Sequence, residues 1–278
     1  MKKLINQQPG RLPRLLLGIV PFLILLAVYL WASDARLAIN PNDKLLPSVH
    51  SIGQAIDRLA FTPSKRTGRF LFWDDTFASL ARLLMGVGIS GAIALVMGIA
   101  TGALPLLRAG LAPAVTAISL IPPMAVLPIL FIVFGLGELS KVVLIIVGIT
   151  PFMARDLQQR VLEIPREQIV KAQTLGANTW QIIVRVILPQ ILPRLFNALR
   201  LALGTAWLFL IAAEAIAATE GLGYRIFLVR RYLAMDVIIP YVLWITILAF
   251  CLDALLKIAT KSLFPWFVQT TQPGTGAT

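Results

Sequence analysis

Glu214 is the residue whose type and place in the chain most call for chemistry. It stands inside LIAAEAIAATEGLGY, and a carboxylate within an apolar membrane run is costly enough to be a functional hypothesis by default. Two readings are open. The acid could line a solute pathway, where alone it would favour a cation such as a small guanidinium-type nitrogen compound, or it could neutralise a structural arginine. Asp253 is more ordinary, because Lys257 four residues on offers a helical ion pair. One cysteine, Cys251, and one histidine, His50, leave no intramolecular disulfide and no Cys/His metal cluster. Cys251 is expected as a small buried hydrophobe and His50 as a solvated side chain. No Ser/His/Asp set, paired carboxylates or metal-ligand cluster falls within the apolar runs, which disfavours a membrane enzyme. GVGISG (86–91) matches the dinucleotide pattern G-x-G-x-x-G, but it lies in an apolar run without the strand and soluble βαβ unit that pattern needs. The phosphate-cradling G-x-x-x-x-G-K-[ST] does not occur, so no ATP or other cofactor is expected on this chain.

The elements that must position these residues are membrane spans. Of 278 residues, 58% are hydrophobic and 14% charged, with a mean hydropathy of +0.83; soluble domains average roughly 45–50% and about 25%. The net charge of +12 lies mostly in loops between apolar runs, as in a basic membrane protein and not a nucleic-acid binder. Six spans are expected, over 12–31, 76–104, 111–134, 142–153, 196–218 and 237–260. The N-terminal run is too long for a signal peptide and is read as a retained span, preceded by a cytoplasmic segment 1–11. Six spans put both termini in the cytoplasm with the loop 155–194, leaving 266–278 as a polar, disordered tail. The basic residues of 155–194 fit that side, whereas Arg225, Arg230 and Arg231 in the outer loop violate the rule locally. Between the first two spans, Val49, Ile52, Ile56 and Leu59 share one face of an amphipathic helix. Gly91, Ala94, Gly98 and Gly102 form a small-residue face for close helix packing. In SLIPPMAVLP, Pro122, Pro123 and Pro128 free the carbonyls of Ile118, Ser119 and Met124. Such carbonyls either face a watery pathway, together with Pro122, Pro123, Met124 and Glu214, or mark a kink needed only for packing.

The polar stretch KAQTLGANTWQIIVRVILP (171–189) reads as two short helices. Pro165 and Glu167 suit a first turn, and Ile169, Ala172 and Leu175 share a face. Gly176 supplies the left-handed position that ends a helix. Asn178 and Gln181 make a capping box, and Pro189 and Pro193 stop the second helix before the next span. An exposed tip at 177–180 suits docking; the alternative is an amphipathic connector on the bilayer.

That stretch resembles the cytoplasmic signature of ABC-importer permeases, Glu-Ala-Ala followed by Gly and then Ile-x-Leu-Pro. Val170, Lys171 and Ala172 stand for Glu-Ala-Ala, Gly176 for the glycine, and Val186, Leu188 and Pro189 for Ile, Leu and Pro; the Glu and first Ala are absent. RLPRLLLGIVPFLILLAVYLWA, LLPSVHSIGQAI, ISLIPPMAVLPILFIVFGLGELSK and LIAAEAIAATEGLGY are similar to the nitrate/sulfonate/taurine/bicarbonate branch of that family. The resemblance implies an all-α, multi-pass permease of the bacterial inner membrane, with two copies pairing around the solute path. It also implies two cytoplasmic ATPase subunits, which bind ATP and Mg, and an extracytoplasmic substrate-binding protein. The ATPase-coupling residues would be Val170, Lys171, Ala172, Gln173, Leu175, Gly176, Ala177, Asn178, Thr179, Trp180 and Gln181. The competing class is a secondary transporter driven by an ion gradient, although no repeat between the halves supports it.

Overall fold

The structure, a computed structural model, describes residues 10–267 apart from 42 and 65–67. The segment 1–9 and the expected tail from 268 onward lie outside the described residues. Helices account for the regular structure, and there is no strand among the described residues. Their order is α1 (Arg11–Ile39), α2 (Val49–Ile56), α3 (Leu71–Ala103), α4 (Pro105–Ser119), α5 (Pro123–Phe134), α6 (Glu138–Leu162), α7 (Arg166–Thr174), α8 (Thr179–Ile182), α9 (Leu188–Ala217), α10 (Leu222–Arg230) and α11 (Met235–Leu263). The chain divides into two compact units, one of Met1–Phe70 with Val229–Tyr241 and one of Leu71–Leu228 with Val242–Thr278.

In the first unit, the loop after α1 folds back onto that helix. Tyr29 Oη donates to the Pro47 carbonyl at 2.7 Å, Ser33 Oγ to that of Leu46 at 3.0 Å, and Arg36 pairs with Asp43 at 2.6 Å. Ser48 caps α2 by accepting from the Ser51 N–H at 3.1 Å. A π turn, Asp57–Phe61, follows α2 and shifts its register, so Ala55 and Ala60 are buried while Val49 and Ile56 are exposed. Val49 and Ile56, on the expected apolar face, are thus turned outward.

The second unit is built on α3 against α6. Gly98 and Gly102 permit the approach: a Cβ added to Gly98 would lie 2.6 Å from Leu157 Cβ, and one on Gly102 would lie 2.5 Å from Val161 Cβ. The face expected from Gly91, Ala94, Gly98 and Gly102 is thus the packing face, with Gly91 turned to Leu199 on α9. Phe72, Trp73 and Trp244 cluster near the start of α3, and Trp244 Nε1 donates to Thr76 Oγ1 at 3.0 Å. Cys251 is exposed and not buried as expected. His50 is exposed, 3.0 Å from the Gln54 amide.

Several expected spans change length or shape. Among the described residues four helices are long and apolar enough to cross a membrane (Leu16–Ile39, Leu71–Ala103, Thr179–Ala217 and Met235–Leu263), or five if α4 and α5 make one broken span. α6 is not among them, because its apolar middle lies between Glu138 and Lys141 at one end and Arg155 and Asp156 at the other. An apolar run this short belongs to a core helix, and α6 buries Leu144, Ile145, Met153 and Leu157 completely. The expected fourth span, 142–153, is the centre of this longer helix. Pro189 and Pro193 do not stop a helix: Thr179–Ala217 runs through as one helix. A π turn, Ile183–Ile187, resets the ladder ahead of them, with Leu188 N–H bonded to the Ile183 carbonyl. Pro189 then occupies a first-turn position of α9, where the missing N–H costs little.

Candidate functional site

The hairpin of α7 and α8 forms as the sequence suggests. The Gly176 N–H bonds the Gln173 carbonyl at 2.9 Å and the Ala177 N–H bonds that of Ala172 at 3.0 Å. This is the Schellman closure, and it needs the left-handed backbone that Gly176 adopts at φ +79. Asn178 Oδ1 then accepts from the Gln181 N–H at 2.8 Å, and Gln181 Oε1 from the Asn178 N–H at 2.9 Å, completing the capping box. Gln190 on α9 donates to Gln168 Oε1 at 3.0 Å, tying α7 to the base of the hairpin. Ile164, Ile182, Ile187 and Ile191 are buried there. The tip is the reverse: Leu175 is 88% and Trp180 71% exposed, and Val170 is exposed beside them. A closed turn thus presents large apolar side chains that nothing among the described residues covers. Such a surface suits an interface core, where aromatic anchors dominate.

A second feature lies at 119–124. The expected third span is two helices bent by 96°. Pro122 and Pro123 force the break, but the Ile118 carbonyl is taken up again by the Ile121 N–H at 3.1 Å. Ser119 and Pro123 are half-buried, while Pro122 and Met124 are exposed. The break brings Ser119, Pro122, Pro123 and Met124 together, and Arg155 on α6 donates to Ser119 Oγ at 2.7 Å.

Glu214 is placed elsewhere, in a closed ion network. It is 0% exposed and Arg82 is 2% exposed; Arg82 Nη1 lies 2.7 Å from Glu214 Oε1. Ser79 Oγ donates to the same carboxylate at 2.7 Å and the Gly223 N–H at 2.8 Å. Arg82 also donates to the Glu220 carbonyl at 2.8 Å and grips Glu138, which Lys141 pairs at 2.7 Å. Next to it, Asp75 accepts from the Gly221 N–H at 2.9 Å and from Arg225 Nε at 2.8 Å. Gly221 and Gly223 are required by this packing. A Cβ on Gly221 would come within 2.5 Å of the Glu214 carboxylate, and one on Gly223 within 2.7 Å of the Ile211 carbonyl. Of the two readings open for Glu214, the geometry gives it the partner role, because its charge is matched by a buried guanidinium. Sequence reasoning passed over Arg82, although a lone arginine in an apolar run carries the same signal as Glu214. Asp253, expected to pair with Lys257, is held instead by Arg200 of α9, at 2.8 and 2.9 Å.

The fold is a helical membrane bundle with a closed, apolar-tipped hairpin, and its sequence holds no phosphate-cradling loop. Residues 70–268 match the family of binding-protein-dependent transport system inner membrane components. The taurine transport system permease protein TauC of Escherichia coli (strain K12) is 37% identical over 194 residues, which cover 70% of each chain. The bicarbonate transport system permease protein CmpB of Synechococcus elongatus is 31% identical over 185 residues, 66% of each. Among solved structures, an inward-facing conformation of the MetNI methionine ABC transporter superposes with a TM-score of 0.59 at 25% identity, covering 72% of this chain and 98% of that one. The chain belongs to the binding-protein-dependent inner-membrane transport family. It is the permease subunit of an ATP-driven ABC importer and not an enzyme, and the secondary-transporter alternative falls away.

Proposed function

We propose that this permease imports a small sulfonate or related oxyanion across a bacterial inner membrane and couples to its ATPase through 163–189. The exposed apolar tip on a pre-closed turn carries the coupling reading: Leu175 and Trp180 are displayed, and the Schellman closure and capping box fix their backbone. Lys171, Gln173, Thr179 and Gln181 rim them with polar groups, as at a docking patch. The relatives named for taurine and bicarbonate support the substrate class. The guanidine alternative loses its basis in this chain, since Glu214, the acid that motivated it, is matched by Arg82. In this reading α6 serves as the sixth span and both termini lie in the cytoplasm. Two permease copies enclose a path past Ser119, Pro122, Pro123 and Met124; two ATPase subunits with ATP and Mg drive it, and a binding protein delivers the solute. The test is co-purification of the ATPase with Leu175→Asp, alongside ATP-dependent taurine uptake at matched membrane levels. Both should fall together; full ATPase binding by Leu175→Asp would refute the coupling assignment.

A further inference from the structure

Charge at the helix break has a definite sign. Among the described residues Arg155 has no carboxylate partner: it donates to Ser119 Oγ at 2.7 Å, and Ser119 Oγ in turn donates to the Thr116 carbonyl at 2.7 Å. The neighbouring charges are engaged with one another, as Asp156 and Glu163 both turn to Arg160, at 3.5 and 3.2 Å. Arg155 is exposed and lines a cleft of about 430 Å³ with Phe152, Asp156, Gln158 and Gln159. Its position along α6 is not beyond the bundle. The preceding residue, Ala154, places its carbonyl 3.2 Å from a Cβ built on Gly98, within the apolar stretch ALVMGIATG of α3. Arg155 thus stands at the end of α6's apolar middle, where a guanidinium without an anion persists by facing water or a polar ligand.

We propose that Arg155, docked on Ser119 at the break between α4 and α5, is the anion-selecting group of the translocation path, attracting a sulfonate or comparable oxyanion and repelling cations. It rests on the reading of 119–124 as path lining. The carboxylate that might have imposed the opposite preference is Glu214, and Arg82 holds it in a closed network. Asp156, which lines the same cleft, is turned to Arg160, and among the described residues Arg155 is the charged group bonded to the break. Its planar fork suits the flat or tripod oxygens of such solutes, and Ser119 can exchange its hydrogen bond for one to a passing oxyanion. Rings of arginine or lysine set anion preference in pores by the same electrostatics.

The experiment uses the complete transporter, with Cys251→Ala to remove this chain's one thiol, Ser119→Cys as reporter, and labelling read on this chain after its separation. Two thiol reagents of similar size are compared, the sulfonate-bearing and the trimethylammonium-bearing ethyl methanethiosulfonates, with and without ATP. With each rate divided by that reagent's rate toward a free thiol in solution, the sulfonate reagent should be the favoured one at Ser119→Cys. With Arg155→Gln that preference should fall about tenfold, the lower end of the enrichment a charged cleft produces, while Arg155→Lys should keep most of it. Reaction without charge preference in the Arg155 protein, or a preference unchanged in Arg155→Gln, overturns the assignment of Arg155 and leaves the path standing. Failure of both reagents to reach Ser119→Cys in either nucleotide state overturns the path reading itself. Because the Arg155 protein alone yields the first comparison, a poorly assembling Arg155→Gln variant would not rescue the proposal.

Discussion

Glu214→Gln should weaken the fold before it alters transport chemistry. The carboxylate offers acceptors on both oxygens: Oε1 receives Arg82 and Ser79, and Oε2 receives the Gly223 N–H and shares Ser79. Glutamine keeps the shape but turns one oxygen into an NH2, so a donor must face either Arg82 or the Gly223 N–H. The guanidinium also loses the partner that is fully buried with it. Breaking one side of a buried pair costs about 3–5 kcal/mol; since Arg82 keeps Glu138 and the Glu220 carbonyl, the lower end, about 3 kcal/mol, applies. Glu138→Gln is the contrast: Glu138 is 61% exposed, so solvent can replace its charge and the loss should stay below about 1 kcal/mol. Thermal unfolding of the purified permease–ATPase complex, with uptake at matched membrane levels, measures both variants. Glu214→Gln should melt several degrees lower, with uptake falling in proportion to surviving complex. Unchanged melting with abolished uptake would refute this reasoning and place Glu214 on the solute's path.

Two further outcomes follow from glycine geometry. Gly176→Val meets no atom within 4 Å but must hold a φ near +79, a strain of about 1–3 kcal/mol; ATPase co-purification should drop roughly tenfold per 1.4 kcal/mol while the chain still inserts. Gly98→Leu should prevent α3 from seating on Leu157 and lower the melting temperature sharply, whereas Gly88→Ala on the same helix, with nothing within 4 Å, should leave it unchanged or raise it.

The parts of this fold that could be read from the sequence are those settled within a few residues. The Gly176 closure and the Asn178–Gln181 box need only their own turn, and the glycine face of α3 needs only a period. The rest depended on distant partners. Arg82 finds Glu214 across 132 residues and Asp75 finds Arg225 across 150, and no spacing rule encodes such pairs. Asp253 shows the hazard of local pairing, because Lys257 stood at the right interval while Arg200, 53 residues away, offered a two-pronged grip on the carboxylate. Proline misled in both directions. At 122–123 it bends the chain by 96°, whereas at 189 and 193 the helix continues, because the preceding π turn shifts the hydrogen-bond ladder so that Pro189 needs no donor. Proline removes a donor in every case; whether the chain breaks depends on what can absorb the missing bond.

The same π turn bears on how the tip and the buried network are joined. Thr179–Ala217 is one helix of 39 residues, about 58 Å at 1.5 Å per residue. Trp180 stands in its first turn and Glu214 in its last, so the residue displayed for docking and the acid locked to Arg82 share one rod. A helix this long bends where its ladder is loosened, at Ile183–Ile187 and at Pro193, and Ile182, Ile187, Ile191 and Pro193 are buried around those points. Burial on both sides of the loosened turn resists flexing there. If the tip is the docking element proposed above, a force at Trp180 would be carried along α9 to the Ser79–Arg82–Glu214 network, where α3 and the 220–223 turn are tied to it by buried hydrogen bonds and α6 by the half-buried Arg82–Glu138 pair. The bonds that join α3 to α9 through Ser79, Arg82 and Glu214 are sequestered from water, so separating those two helices would cost more than moving them together; on the coupling reading proposed above, α3 and α9 should respond to the tip as one body, with α6 held more loosely through the exposed Glu138.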